Sequence, residues 1–142
     1  PSVATLSNAM DVGNPSNFIR VLELFNNEMD SMQKYMSAYT ITDADTLDTI
    51  KKVNNELGYL LDLHGAVAFH AVEKYLAANP VERCIFLETA HPVKFPQAVE
   101  LATGKKVELP DAVKELYNRK KISVKMDADT GQLKEWLLNR GV

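Results

Sequence analysis

Apolar residues recur every three to four positions along most of the chain, which is the spacing of one face of a helix. The first such stretch runs from Phe18 to Met36 and predicts one helix of about five turns. Further helices are predicted over residues 42–58, from about 65 to 78, near 96–102, from 110 or 111 onward, and from 129 or 130 to 140. Thr42 and Asp45 have the spacing of a capping box, and Gly58 follows that helix as its C-terminal residue.

Three short segments between these helices have the composition of strands. Residues 83–87 are apolar after Arg83 and show no polar alternation, which is typical of a strand buried on both faces. Residues 122–126 alternate between apolar and polar, as a half-exposed strand does, and residues 39–41 are β-prone. We therefore predict an α/β fold that is rich in helices and has a short central, mostly parallel sheet.

Composition and charge narrow the class of protein. The length of 142 residues predicts a single domain over 1–142, and 46% apolar with 25% charged residues is ordinary for a globular protein. The net charge of -3 and the absence of long Lys/Arg runs argue against nucleic acid as a partner. No apolar run is long enough to span a membrane, and Cys84 is the only cysteine. We expect a cytoplasmic protein without an intrachain disulfide.

The segment that follows the predicted strand at 83–87 is a candidate binding site. In α/β proteins ligands bind beyond the carboxyl ends of strands, and here Thr89 and His91 follow an apolar run directly. The alternative is structural: Thr89 caps a turn, and His91 packs or forms a local hydrogen bond.

Two other residues have a possible chemical role. His64 stands near Asp62 and is a candidate base oriented by a carboxylate, or a metal ligand together with His91. The competing interpretation is a histidine near a helix start that is bonded to the backbone, and the sequence lacks the His and Cys spacing of a metal site. For Cys84 we expect a buried structural thiol and not a nucleophile.

The loop over residues 7–17 is rich in Asn and Ser, with one Asp and one Gly. Its neutral donors suit an anionic or amino-acid ligand, but the same composition is found in ordinary linkers.

Three segments, taken in order, closely resemble motifs of threonine synthase. They are residues 6–17 (LSNAMDVGNPSN), 58–67 (GYLLDLHGAV) and 88–95 (ETAHPVKF), and the whole chain resembles the C-terminal third of that family. One position differs, because Leu63 stands where the family pattern has Pro.

The resemblance implies a pyridoxal phosphate enzyme of fold type II, like the tryptophan synthase β chain, that converts O-phosphohomoserine and water to threonine and phosphate. It implies that Thr89 hydrogen-bonds the pyridine nitrogen of the cofactor, and that Ser7, Asn8 and Asp11 lie on the substrate side. The Schiff-base lysine and the phosphate-binding loop of the family belong to upstream sequence. We therefore expect a fragment that needs an N-terminal portion, is inactive alone, does not retain the cofactor and self-associates.

A function from another class also fits the composition. A stand-alone α/β module that binds a small ligand or a protein, without catalysis, would explain the length and the missing lysine. It would not explain three family motifs in the same order.

Overall fold

A computed structural model describes residues 3–8 and 13–140, with a boundary between two units after Glu108. The first unit contains the helices α1 (Phe18–Leu24), α2 (Met29–Gln33), α3 (Asp43–Leu57), α4 (Leu63–Ala78) and α5 (Pro96–Thr103), with a 3-10 turn at Pro92–Lys94. The second contains α6 (Asp111–Tyr117) and α7 (Thr130–Asn139). In the part of the chain that the structure describes, no helix is long and apolar enough to cross a membrane.

The ends of α3 are those predicted from the sequence. The Thr42 hydroxyl accepts a hydrogen bond from the Asp45 N–H at 3.1 Å, and the Asp45 carboxylate accepts one from the Thr42 N–H at 3.2 Å. Together they form the reciprocal capping box that satisfies two otherwise unpaired donors. Gly58 ends the helix in the left-handed conformation, with φ of 65°.

The single five-turn helix predicted from Phe18 is wrong. The structure has two short helices, α1 and α2, because Asn26 and Asn27 between them adopt positive φ angles of 52° and 59°. Asparagine enters the left-handed region more readily than most residues, so this pair can break a helix whose apolar spacing continues.

The hydrophobic core lies where α3, α4 and α5 meet. Its fully or almost fully buried residues are Ile50, Val53, Leu61, Leu63, Ala66 and Val99. A hydrogen bond also joins α3 to α4. The Thr49 hydroxyl donates to the Asp45 carbonyl at 2.7 Å, so its oxygen accepts from His70 Nδ1 at 2.9 Å.

The predicted central, mostly parallel sheet is wrong, and with it the α/β class. The described residues form helices and contain no strand or sheet, and the segments predicted as strands are irregular. A strand needs a neighbour that accepts and donates its backbone hydrogen bonds. Residues 83–90 make no backbone–backbone hydrogen bond to any other described residue. Residues 84–87 are apolar, but an apolar segment forms a strand only where a partner strand is present.

Residues 85–90 nevertheless have a regular side-chain alternation. Phe86, Glu88 and Ala90 are half-buried, whereas Ile85 and Leu87 are 90% and 73% exposed. Phe86 packs edge-on against Phe69 of α4, with 5.4 Å between the ring centroids. The segment thus has one face on α4 and one open face, not two buried faces as predicted.

Candidate functional site

The start of α4 carries a buried carboxylate. Asp62 is fully buried, and its Oδ1 accepts hydrogen bonds from the His64 N–H at 2.7 Å and from the His64 ring Nδ1–H at 2.9 Å. It is therefore the N-cap of α4, where a negative charge is stabilised by the helix dipole. Of the alternatives for His64, the ring is oriented by the Asp62 carboxylate and not by the backbone.

Leu63 follows as the first residue of α4 and is fully buried in the core. Proline is favoured at this helical position because its N–H is not needed there. In this chain α4 begins at Leu63, with Asp62 as its N-cap.

Glu88 reaches the same helix start from the segment 85–90. Its Oε1 accepts a hydrogen bond from the Asp62 N–H at 2.9 Å. A Cβ atom on Gly65 would overlap all three atoms of the Glu88 carboxyl group, so only glycine leaves room for that group here. The niche for Glu88 is thus formed by the backbone of α4.

The carboxyl groups of Asp62 and Glu88 shift each other's pKa. Burial, followed by the hydrogen bond to the Asp62 side chain, raises the pKa of Glu88 from 4.5 to about 7. Burial alone would raise the pKa of Asp62 too, but hydrogen bonds from Glu88 and His64 outweigh it and lower that pKa. Asp62 Oδ2 and Glu88 Oε2 are buried and have no hydrogen-bond partner in the described chain. The raised pKa favours a proton on Glu88, and a protonated Glu88 can donate to Asp62 and so give both atoms a partner.

His64 and His91 each have a local contact. The His64 ring lies 5.2 Å from the Phe95 ring, centroid to centroid. His91 Nδ1 accepts a hydrogen bond from the Val93 N–H at 3.1 Å and so caps the 3-10 turn. The structural alternative therefore holds for His91, whereas Thr89 caps no turn.

Thr89 lies on the open face of the segment, directly after Glu88. It is exposed, and its hydroxyl has no hydrogen-bond partner among the residues that the structure describes. This hydroxyl is available to a ligand.

A groove of about 480 Å³ adjoins the carboxyl pair. Glu88, Ala90 and His91 line one part of it. The remaining lining residues are Asn54, Tyr59, Leu60, Pro92, Thr103, Lys105, Lys106, Val107 and Glu108. The volume is that of a small-molecule site, with basic and acidic groups side by side.

Of the predicted loop residues, Ser7 and Asn8 follow Leu6, which contacts the start of α3. The Leu6 N–H donates to Asp43 Oδ1 at 3.1 Å, which attaches the loop to that helix. Ser7 is half-buried with its Oγ 3.1 Å from Thr5 Oγ1, and the Asn8 N–H donates to the Thr5 carbonyl at 3.2 Å. Asp11 lies outside the described residues. No hydrogen bond in the described chain joins Ser7 to Thr89.

The remaining candidates are Cys84 and a metal site. Cys84 is exposed and not buried, which corrects the expectation of a structural thiol. Within residues 3–8 and 13–140, no group of three or more His, Cys, Asp or Glu side chains could hold a metal ion.

Reasoning from the sequence missed Glu88 and Gly65. The signal was a lone carboxylate at the end of an apolar run, which is a costly place for a charge unless it is paired. The sequence could not show that the partner lies 26 residues away, at Asp62.

Comparisons with known proteins agree on one class of protein, the amino-acid synthases, and match this chain to their C-terminal part. The chain is 40% identical over 137 residues to threonine synthase of Haemophilus influenzae and 38% identical over 136 residues to that of Escherichia coli. Each match covers 96% of this chain and 31% of the relative. The chain thus spans about a third of the length of these relatives.

Solved structures and a family model lead to the same family. The crystal structure of Escherichia coli threonine synthase matches 99% of this chain and 32% of its own, with a TM-score of 0.80 and 37% identity. A threonine synthase from Brucella melitensis described as PLP-bound matches 96% of this chain and 34% of its own, with a TM-score of 0.64 and 25% identity. The model "Threonine synthase, C-terminal" matches residues 65–137. The chain belongs to the threonine synthase family.

Proposed function

We propose that this chain forms one wall of the active site of a pyridoxal phosphate-dependent threonine synthase, which converts O-phosphohomoserine and water to threonine and phosphate. The observation that carries the proposal is the Thr89 hydroxyl, exposed and without a partner in the described chain, inside the motif over residues 88–95. Membership of the family and a relative described as PLP-bound support it.

The chemistry of Thr89 fits one edge of the cofactor. When bound, pyridoxal phosphate withdraws electrons from the carbon atoms of an amino-acid substrate. The Thr89 hydroxyl is neutral and would donate a hydrogen bond to the pyridine nitrogen of the bound cofactor. Unlike a carboxylate, it does not enforce protonation of that nitrogen, and it therefore moderates the electron withdrawal.

The residues Ser7 and Asn8 are proposed to bind the substrate, together with Asp11 from the undescribed part of the same loop. The hydrogen bond from the Leu6 N–H to Asp43 supports this role, because it attaches the loop to a rigid helix. A loop held in this way can present neutral donors to the amino-acid part of the substrate.

The open face of the segment 85–90 supports a role for an upstream portion of the enzyme. Ile85 and Leu87 are strongly exposed in this chain, and together they form an apolar patch beside Thr89. Patches of this kind mark surfaces that another protein segment covers. We propose that the portion bearing the Schiff-base lysine covers it, and that the chain alone is inactive, does not retain the cofactor and self-associates.

A chimeric enzyme tests the proposal. In it, residues 1–142 replace the matching C-terminal part of the Haemophilus influenzae threonine synthase, and phosphate release from O-phosphohomoserine is measured. We expect activity in the chimera, none in the isolated chain, and a loss of about 10²-fold in kcat for Thr89→Val. Thr40→Val removes an exposed hydroxyl elsewhere and serves as the control. Equal kcat for Thr89→Val and Thr40→Val would remove Thr89 from the site.

A further inference from the structure

Thr89 is held between fixed points on the same segment. Three residues before it, Phe86 packs against Phe69, and two residues after it, His91 caps the 3-10 turn. The residue immediately before it, Glu88, accepts the hydrogen bond from the Asp62 N–H. Glu88 is the nearest of these anchors and the one that contacts the start of α4.

The niche of Glu88 sets which way its neighbour points. Its carboxyl group fills the space left by the missing side chain of Gly65, so it cannot shift toward α4. In an extended segment successive side chains point to opposite faces, and the exposures of Leu87, Glu88 and Thr89 follow this alternation. With Glu88 fixed on α4, the Thr89 hydroxyl is directed to the open face.

We propose that Glu88 is a positioning residue for Thr89: held between the Asp62 N–H and Gly65, its carboxyl group orients the hydroxyl that the proposed function assigns to the cofactor. The effect of Glu88 on catalysis rests on that proposed function. The contact of Glu88 with the start of α4 does not depend on it. Glu88 does not touch the cofactor and acts through the backbone of the segment.

The charge state of Glu88 gives the proposal a pH signature. Asp62 and His64 face Glu88 from α4, and His91, Lys105, Lys106 and Glu108 line the groove beside it. A protonated Glu88 can donate to the Asp62 carboxylate, whereas an ionised Glu88 is repelled by that carboxylate and keeps only the hydrogen bond from the Asp62 N–H, so the contact of Glu88 with the start of α4 changes as Glu88 loses its proton. Glutamine in its place can accept from the Asp62 N–H and donate to the Asp62 carboxylate, and it has no proton to lose in this pH range.

The test uses the 142-residue chain itself and needs no cofactor. NMR follows the side-chain carboxyl carbon of Glu88 and the backbone amide of Thr89 from pH 4 to 9. We expect both signals to titrate with one midpoint near 7. In Glu88→Gln the Thr89 amide should keep its low-pH position throughout, and in Glu88→Ala its hydrogen exchange should be about tenfold faster. Glu82→Gln, an exposed carboxyl on the same stretch, should change neither signal.

Two results would overturn the positioning role. One is a Thr89 amide whose signal does not change while the Glu88 carboxyl titrates. The other is a Thr89 amide that is unchanged in Glu88→Ala while circular dichroism shows the helices intact. Where Glu88→Ala fails to fold, Gly65→Ala, which expels the carboxyl while keeping it in the chain, gives the same comparison.

The chimeric enzyme separates this inference from the proposed function. If both hold, Glu88→Ala lowers kcat about tenfold with little change in KM, and Glu88→Gln restores kcat and flattens its dependence on pH around 7. Failure of the proposed function is different: Thr89→Val then leaves kcat unchanged although the NMR coupling is present. Failure of the inference leaves Thr89→Val impaired while Glu88→Ala matches the Glu82→Gln control.

Discussion

Replacing Gly65 with alanine measures how closely the Glu88 carboxyl fits the start of α4. In a helix, alanine is more stable than glycine by about 0.5–1 kcal/mol. At this position the added Cβ overlaps the Glu88 carboxyl and displaces it. Displacement removes the hydrogen bond to the fully buried Asp62 N–H, and an unpaired buried donor costs about 1–3 kcal/mol.

The gain in helix propensity and the loss of the hydrogen bond together determine how Gly65→Ala changes the free energy of unfolding, in the wild-type chain and in Glu88→Ala. In the wild-type chain, Gly65→Ala should lower the free energy of unfolding by about 1 kcal/mol, because the loss of the hydrogen bond exceeds the gain in helix propensity. In the Glu88→Ala background there is no carboxyl to displace. The same change should then raise the free energy of unfolding by about 0.5–1 kcal/mol. The coupling energy of the double-mutant cycle is about 1.5–2 kcal/mol.

Urea unfolding followed by far-ultraviolet circular dichroism at pH 6 provides the four free energies of the cycle. A parallel cycle with Glu82→Ala in place of Glu88→Ala is the control, because Glu82 is exposed and remote from the niche. We expect no coupling in that control. Stabilisation by Gly65→Ala in the wild-type background, or equal effects in both backgrounds, would show that Glu88 does not occupy the niche.

Three further predictions concern pH and the helix contacts. The pKa of Glu88 is raised on folding, so its carboxyl group stabilises the chain fully below pH 4.5 and loses that contribution as the pH rises through 7. The free energy of unfolding should therefore fall from pH 5 to pH 8 more in wild type than in Glu88→Gln, which urea unfolding midpoints will show. The lowered pKa of Asp62 acts below pH 4 and leaves this window unaffected. Thr42→Ala removes the capping box and should lower the free energy of unfolding by about 1 kcal/mol, whereas Thr40→Ala should not. Thr49→Val leaves the His70 Nδ1–H without its acceptor and should reduce stability by about 1 kcal/mol in the same assay, with Thr49→Ser retaining it.

Local signals in the sequence predicted the helices that depend on local interactions. The capping box at Thr42 and Asp45 and the stop at Gly58 need only neighbours in sequence, and the structure confirms them. Asn26 and Asn27 broke the first predicted helix because their own backbone preference exceeds the apolar periodicity around them.

Features that depend on distant partners were not predicted correctly. The apolar residues 83–87 suggested a strand, but a strand requires hydrogen bonds from another segment, and the described chain provides none. The pairing of Asp62 with Glu88 was likewise not predicted, because the two residues are 26 positions apart and no sequence motif links them. The cofactor role predicted for Thr89 depends on the resemblance to a family, since a single hydroxyl after an apolar run is not specific.

The most direct test of the account is a crystal structure of the chimeric enzyme with pyridoxal phosphate bound. The decisive quantity is the distance from Thr89 Oγ1 to the pyridine nitrogen. We predict a hydrogen bond of about 2.7–3.2 Å, with the Asp62 N–H still donating to Glu88. A separation well beyond about 3.5 Å, or another side chain on that nitrogen, would contradict the claim that this chain provides the cofactor contact.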